Sequence, residues 1–244
     1  KDYLAKNGLK GRIRYYGCPA EEGGAAKAFM VREGCFKDVD IAISWHPAPF
    51  AAVNEAKSLA NTRIDFTFTG RSSHAAAAPH LGRSALDAIE LMNVGVNYMR
   101  EHMPSEARIH YAYLDAGGIA PNVVQGKATV RYLIRATDLP MLQQLVARVR
   151  KIADGAALMT ETTVATKVVS AVSNLLGNTP LERAMQNNLD RLGPPPFDDE
   201  DRAFAAEIQK TLSDEDIASA FKRVGMPVRK GVPLADEIVP LEAK

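Results

Sequence analysis

The sequence predicts an α/β protein in which a ferredoxin-like βαββαβ domain is inserted into a parallel-sheet domain. Three observations carry that prediction. Residues 12–45 read as strand, helix and strand, residues 61–169 read as βαββαβ, and helix-rich sequence resumes at Thr179. A strand–helix–strand unit closes a parallel pair, and the six-element order is the split-βαβ plan.

The elements follow in chain order. Residues 12–16 are a β-branched and aromatic run after Lys10-Gly11, and read as a strand. Gly23-Gly24 opens a helix over residues 25–33, which Gly34 closes. Residues 39–45 are mostly apolar and of strand length, the pattern of a strand buried on both faces. From Asn61 the rhythm changes: Ile64, Phe66 and Phe68 alternate with polar residues, so this strand has one wet face. Ser84 caps a helix running to about residue 103, with Leu86, Ile89, Met92 and Val96 on one stripe. Strands over 108–114 and 127–135 join through Gly117-Gly118, a second amphipathic helix covers 139–158, and a last strand covers 162–169. Pro194-Pro195-Pro196 punctuates the region beyond, where helices begin near Asp198 and Asp214 with acidic first turns. The outer domain is thus expected over 1–60 and 176–244, and the inserted one over 61–175.

Composition narrows the function. The 244 residues carry a formal net charge of +1, with 46% hydrophobic and 24% charged residues. That is ordinary for a soluble globular protein, and it offers no basic field for nucleic acid. Cys18 and Cys35 form no CxxC pair, and no run of 18 apolar residues or signal peptide is present. A cytoplasmic protein with neither nucleic-acid nor membrane partners is expected. The chain starts at Lys1 without Met and ends in Val239-Pro240-Leu241-Glu242-Ala243-Lys244, which closes no obvious element. It is therefore expected to be part of a longer protein.

Glu21 and Glu22 stand just past the first expected strand, and His46 at the end of the second. Neighbouring parallel strands end side by side at the carboxyl edge, where open α/β sheets bind ligands. Two carboxylates facing one imidazole suit Zn, Mn or a similar divalent ion. One glutamate then coordinates metal while the other moves protons between water and a leaving amine. A solvated acidic pair and a structural histidine are the plain alternative.

Longer strings bear on that choice: Gly17-Cys18-Pro19-Ala20-Glu21-Glu22-Gly23-Gly24, Ser44-Trp45-His46-Pro47 and Gly70-Arg71-Ser72-Ser73-His74-Ala75. Together they resemble the aminoacylase, hippurate hydrolase and carboxypeptidase G metallopeptidase family, over essentially the whole chain. The resemblance implies a catalytic domain with a lid and dimerisation insert, and a two-metal site of Zn or Mn. It implies Glu21 as general acid/base, Glu22 and His46 as metal ligands, and His74, usually supplied by a partner subunit, polarising the scissile carbonyl. Asn122, in Pro121-Asn122-Val123-Val124, and Arg135 match lid residues that bind the substrate's carbonyl and carboxylate ends. Their spacing of 13, on consecutive strands, is expected to face both into one cleft, and an Arg fork suits a carboxylate. The implied reaction is hydrolysis of an N-acyl amino acid, p-aminobenzoyl-glutamate, to p-aminobenzoate and glutamate. The implied assembly is a homodimer, or a heteromer with a related subunit, through a lid helix or edge strand.

Each residue also has a structural reading. His74 caps a loop, Asn122 serves the Gly-Gly turn, and Arg135 is an exposed strand residue. His80 positions the following helix, His102 lies at a helix C-terminus, His110 has no assigned role, and Cys18 is a buried neutral thiol. The family's upstream Cys-Gly-His-Asp-like or His-x-Asp segment and its C-terminal histidine are absent from this sequence. Two ligands are fewer than the three of a catalytic zinc. The chain alone is thus expected to bind metal weakly or not at all and to be inactive, the intact protein being the enzyme. Two rivals stand beside this: a non-catalytic partner subunit of such a hydrolase, and a small-molecule-binding ferredoxin-like module.

Overall fold

A computed structural model describes residues 1–54, 58–229 and 231–241. They form two compact units, residues 1–40 with 59–174, and residues 41–58 with 175–244.

The first unit begins with α1 (Asp2–Lys6) and α2 (Ala26–Arg32), then runs β1 (Ala60–Thr69), α3 (Ala85–Met99), β2 (Arg108–Asp115), β3 (Lys127–Ala136), α4 (Leu139–Met159) and β4 (Thr163–Val172). The four strands make one antiparallel sheet in the order β2-β3-β1-β4. Each long helix therefore joins two strands that flank a third. The sequence dictates the faces. Along β1, Ala60, Ile64, Phe66 and Phe68 are buried, and along β3, Ala128, Val130, Tyr132, Ile134 and Ala136 are. This period of two turns one face of the sheet onto α3 and α4, which contribute Ile89, Met92, Val96, Leu142, Leu145 and Val149 to a single core. The alternate residues, Asn61, Arg63, Asp65 and Thr67 on β1 and Thr129, Arg131, Leu133 and Arg135 on β3, share the opposite face and are half-buried or exposed.

Helix ends follow local chemistry. The Ser84 hydroxyl accepts from the Asp87 N–H at 3.1 Å and the Asp138 carboxylate from the Met141 N–H at 2.9 Å. Within the core, the Tyr132 hydroxyl donates to Asn93 Oδ1, and Asn93 Nδ2 donates to the Tyr113 hydroxyl at 3.1 Å. Burial pushes both phenols above their usual range, so they stay neutral donors and acceptors.

The second unit holds α5 (Thr179–Leu192), α6 (Asp199–Gln209) and α7 (Asp214–Arg223). Reciprocal capping boxes, Asp198 with Asp201 and Ser213 with Asp216, start α6 and α7. Its core is small: Phe50, Phe221 and Val239, with half-buried neighbours. Val239 is not the loose end its sequence context implies. Its N–H donates to the Ala51 carbonyl at 3.0 Å and its side chain is fully buried. Residues 242–244 of the expected outer domain lie outside the described residues.

The expected parallel sheet is not formed among the described residues. Residues 12–16 and 39–45 belong to no strand, with a bend at Asp40, and the sole parallel pairing among the described residues is the isolated bridge Ala51–Ile238. A strand needs backbone partners on at least one side, and one buried on both faces needs covering layers too. The described residues supply neither here: Ile13, Tyr15 and Trp45 are 72%, 95% and 82% exposed.

Gly95 stands where α3 meets α4, and a Cβ there would lie 2.7 Å from Ile152 Cγ2. Gly95→Ala sets a gain of about 1 kcal/mol in helix propensity against overpacking of about 1–3 kcal/mol on a stiff β-branched neighbour. The expected outcome is a net loss of roughly 1 kcal/mol in urea unfolding. A stabilised variant would show that the two helices yield.

Candidate functional site

The glutamate doublet sits on a tight turn over residues 20–25. The Ala20 carbonyl accepts from the N–H groups of Gly23, Gly24 and Ala25 at 3.4, 2.9 and 2.9 Å. Ala20 and Ala25 are both left-handed, with φ of +53° and +51°. An L-residue adopts that region at a cost of roughly 1–2 kcal/mol, and it persists where surrounding contacts over-determine it. Arg63 supplies one such contact from β1, its NH1 donating to the Gly23 carbonyl at 2.9 Å.

This turn walls a cleft of about 400 Å³ whose floor is the open face of the sheet. Glu21 and Glu22 line the wall, and Asn61, Arg63, Arg135 and Ser170 line the floor. The structure therefore brings Glu21, Glu22 and Arg135 together. Arg135 is exposed, opposes Asn61 on β1 and Arg108 on β2, and makes no ion pair among the described residues. Arg131, two steps along the same face beyond Leu133, differs. Its Nε and NH2 grip Asp65 at 2.6 and 2.8 Å, and those hydrogen bonds hold its pKa above the usual arginine value.

His74 and Asn122 form a separate pair. His74 bridges Val123, and the Ala75 N–H donates to the Asn122 carbonyl at 2.9 Å. His74 Nδ1 accepts from the N–H groups of Ala76 and Ala77 at 3.2 and 3.1 Å. That fixes the neutral tautomer with its proton on Nε2, and the side chain is exposed. His74 thus does cap a loop, and it does so while leaving a donor free. Asn122 lies in a turn before β3 instead of on a strand, and the left-handed positions of that connection fall to Gly117 and Gly118.

Asn122 and Arg135 consequently do not face one cleft within a chain. Gly126, whose carbonyl accepts from the Gly70 N–H beside the His74 loop, is nine residues from Arg135. At about 3.3 Å per residue the strand sets them roughly 30 Å apart.

His46 lies in the second unit and is exposed, with Nδ1 2.8 Å from the Pro47 carbonyl. That contact makes Nδ1 the donor and leaves Nε2 as the acceptor or ligand atom. Cys18 is half-buried, its thiol 3.7 Å from the Tyr16 carbonyl. Among the described residues no group of three His, Cys, Asp or Glu side chains is placed to hold a metal ion. The donors described do not complete a catalytic metal shell. A second cleft of about 250 Å³, beside Gln209, Lys210 and Ile217, contains none of the expected residues. No described helix is long and apolar enough to cross a membrane.

Sequence reasoning missed Arg63, Asn61 and Ser170. The wet face of β1 was legible from its alternation, but what shares that face with Arg135 depends on strand pairing.

Comparison with known proteins gives this geometry a context. Residues 54–160 match the M20 peptidase dimerisation domain. The chain is 49% identical over 224 residues to one of the subunits of p-aminobenzoyl-glutamate hydrolase from Escherichia coli, covering 92% of this chain and 47% of that protein. The chain belongs to the M20 peptidase family. It is also 30% identical over 183 residues to human Xaa-Arg dipeptidase, covering 75% of this chain and 42% of that one. The crystal structure of an aminobenzoyl-glutamate utilization protein from Klebsiella pneumoniae shares its fold, with a TM-score of 0.58 at 24% identity over 71% of this chain and 45% of that one. The chain spans less than half the length of each of these relatives. The four-stranded sheet with α3 and α4 falls largely within the stretch matched to the M20 domain, whereas the turn bearing Glu21 and Glu22 precedes it.

Ala20→Gly removes the left-handed strain from the turn of this M20 protein. A gain of about 0.5–1 kcal/mol in urea unfolding is expected. A lower midpoint would show that Ala20 does not hold this conformation in solution.

Proposed function

We propose that the protein is a metal-dependent amidohydrolase that cuts p-aminobenzoyl-glutamate into p-aminobenzoate and glutamate. The observation that carries the reading is the cleft shared by Glu21, Glu22 and Arg135, whose guanidinium makes no ion pair among the described residues. The 49% identity to a p-aminobenzoyl-glutamate hydrolase chain supports the choice of substrate.

Arg135 grips the carboxylate of the leaving amino acid with two parallel N–H bonds. Glu21 takes a proton from the attacking water, whose oxygen bonds the amide carbon. As the C–N bond breaks, Glu21 returns that proton to the departing nitrogen, leaving an acid and an amine. Glu22 would offer a carboxylate ligand to a divalent ion such as Zn or Mn. Such an ion, when bound, supplies the positive charge that polarises carbonyl and water. Roughly 30 Å of β3 separates the His74 loop from Arg135. The imidazole is therefore assigned to the site of another subunit, where its free Nε2–H stabilises the oxyanion.

The partner meets the inserted domain at its open edge. β2 is an edge strand whose Tyr111, Tyr113 and Leu114 remain exposed, and α3 exposes Leu91, Val94 and Tyr98. An unpaired strand beside an apolar helix face suits a second copy or a related subunit. The ferredoxin-like plan of the insert belongs to this reading. One observation favours a second reading, in which the chain is a partner subunit lending His74 to another's site: its described donors complete no metal shell.

Mixed-subunit kinetics test both. Glu21→Gln and His74→Ala are each expected to lower hydrolysis of p-aminobenzoyl-glutamate by the full-length metal-loaded protein about 10²–10⁴-fold. Co-expressing the two variants should restore roughly a quarter of wild-type activity through dimers holding one intact site. Undiminished turnover by Glu21→Gln, with His74→Ala inactive, would leave the partner-subunit reading in its place.

A further inference from the structure

The geometry points to Arg63 as the residue that selects a second carboxylate on the leaving amino acid, so that the cleft takes a dicarboxylate of glutamate type, one acid on Arg135 and the other on Arg63. This deepens the proposed function and rests on it.

Three observations carry it. First, Arg63 and Arg135 are diagonal neighbours on the open face. Asn61 opposes Arg135 and Leu133 opposes Arg63, which places the two backbones roughly 7–8 Å apart. Both side chains line the same cleft, and long guanidinium stems from such positions converge on two acids of one small molecule.

Second, Arg63 is half-buried and under-used. Of its five N–H donors, one goes to the Gly23 carbonyl, and no carboxylate pairs with it among the described residues, Glu21 and Glu22 included. The arginine beside it on that face, Arg131, by contrast has a carboxylate partner, Asp65, held by two of its donors. The floor neighbours of Arg63 and Arg135, Asn61, Leu133 and Ser170, bring no compensating acid. A partly desolvated cation without a counter-charge is costly unless a ligand supplies one.

Third, the pairing of β1 with β4 slips at this point. Ser170 opposes Arg63 but Val168 opposes Ile64, so the extra residue, Val169, makes a bulge in β4 directly opposite Arg63 and next to Ser170 of the cleft floor. Bulges re-aim a side chain and gather beside ligand sites.

A purely structural role, in which Arg63 only clamps the turn of Glu21 and Glu22, makes a different forecast. The test compares kcat/KM of the full-length metal-loaded protein for p-aminobenzoyl-glutamate and its near-isosteric p-aminobenzoyl-glutamine, wild type against Arg63→Gln. Losing the contact to the Gly23 carbonyl falls on both substrates alike, so Arg63→Gln is expected to lower kcat/KM for the glutamate conjugate about 10–100-fold more than for the glutamine conjugate. An equal fall on both substrates would reduce Arg63 to a clamp, and no change on either would remove it from the site; both overturn the inference. If the wild type cleaves neither conjugate, the hydrolase reading fails by itself, and calorimetry with free glutamate and glutamine decides the matter for Arg63. Glutamate binding weakened tenfold or more by Arg63→Gln, with glutamine binding unmoved, upholds the inference; equal or absent binding overturns it.

Discussion

The register of β1 against its two neighbours is the constraint on which the rest depends. Ile64, Phe66 and Phe68 are locked onto α3 and α4, so the residues between them have no choice but the other face. A slip of one residue would carry Arg63 and Asp65 into an apolar core and lift three large hydrophobic side chains into water. Burial of those side chains, each contributing about 1.5–3 kcal/mol, holds the polar face in place. Arg135 is fixed likewise, since Ile134 and Ala136 on either side of it are buried.

On that fixed floor stands a wall of another kind. The turn bearing Glu21 and Glu22 belongs to no strand or helix, and two left-handed alanines bracket it. It holds together through convergent backbone donors on the Ala20 carbonyl and one side-chain donor from β1. The acidic doublet is thereby tied to the sheet by Arg63, and the geometry of wall and floor is coupled. Glu21, Glu22, Arg63 and Arg135 line one cleft, and no ion pair joins them among the described residues.

The separation of the two residue clusters has a consequence for assembly. A strand is stiff and its rise per residue is fixed, so no side-chain rearrangement can bring the loop of His74 and Asn122 to Arg135 in one chain. Chemistry that needs both ends of β3 needs two chains. The domain matched over residues 54–160 takes its name from dimerisation, and the first unit offers it the free edges of β2 and β4 and the exposed apolar side of α3. Under the proposed function, dimerisation through this domain is what completes the site.

The sequence by itself determined whatever depends on local periodicity and capping. The four strands of the sheet, α3 and α4, the Ser84 cap, the acidic starts of α6 and α7 and the wet face of β1 all follow from contacts within a few residues. The strands expected at 12–16 and 39–45 did not form, because a ladder is a property of neighbours and the described residues provide none. The division of the candidate residues was equally hidden. Asn122 and Arg135 are thirteen positions apart in sequence, which is compatible with one cleft or with opposite ends of a strand, and the location of Asn122 in the turn decides for the latter. Arg63 carried no motif to mark it. Only the antiparallel pairing of β1 with β3 sets it diagonally beside Arg135, because side-chain neighbourhood across a sheet is fixed by register, a relation between distant segments that no local pattern encodes.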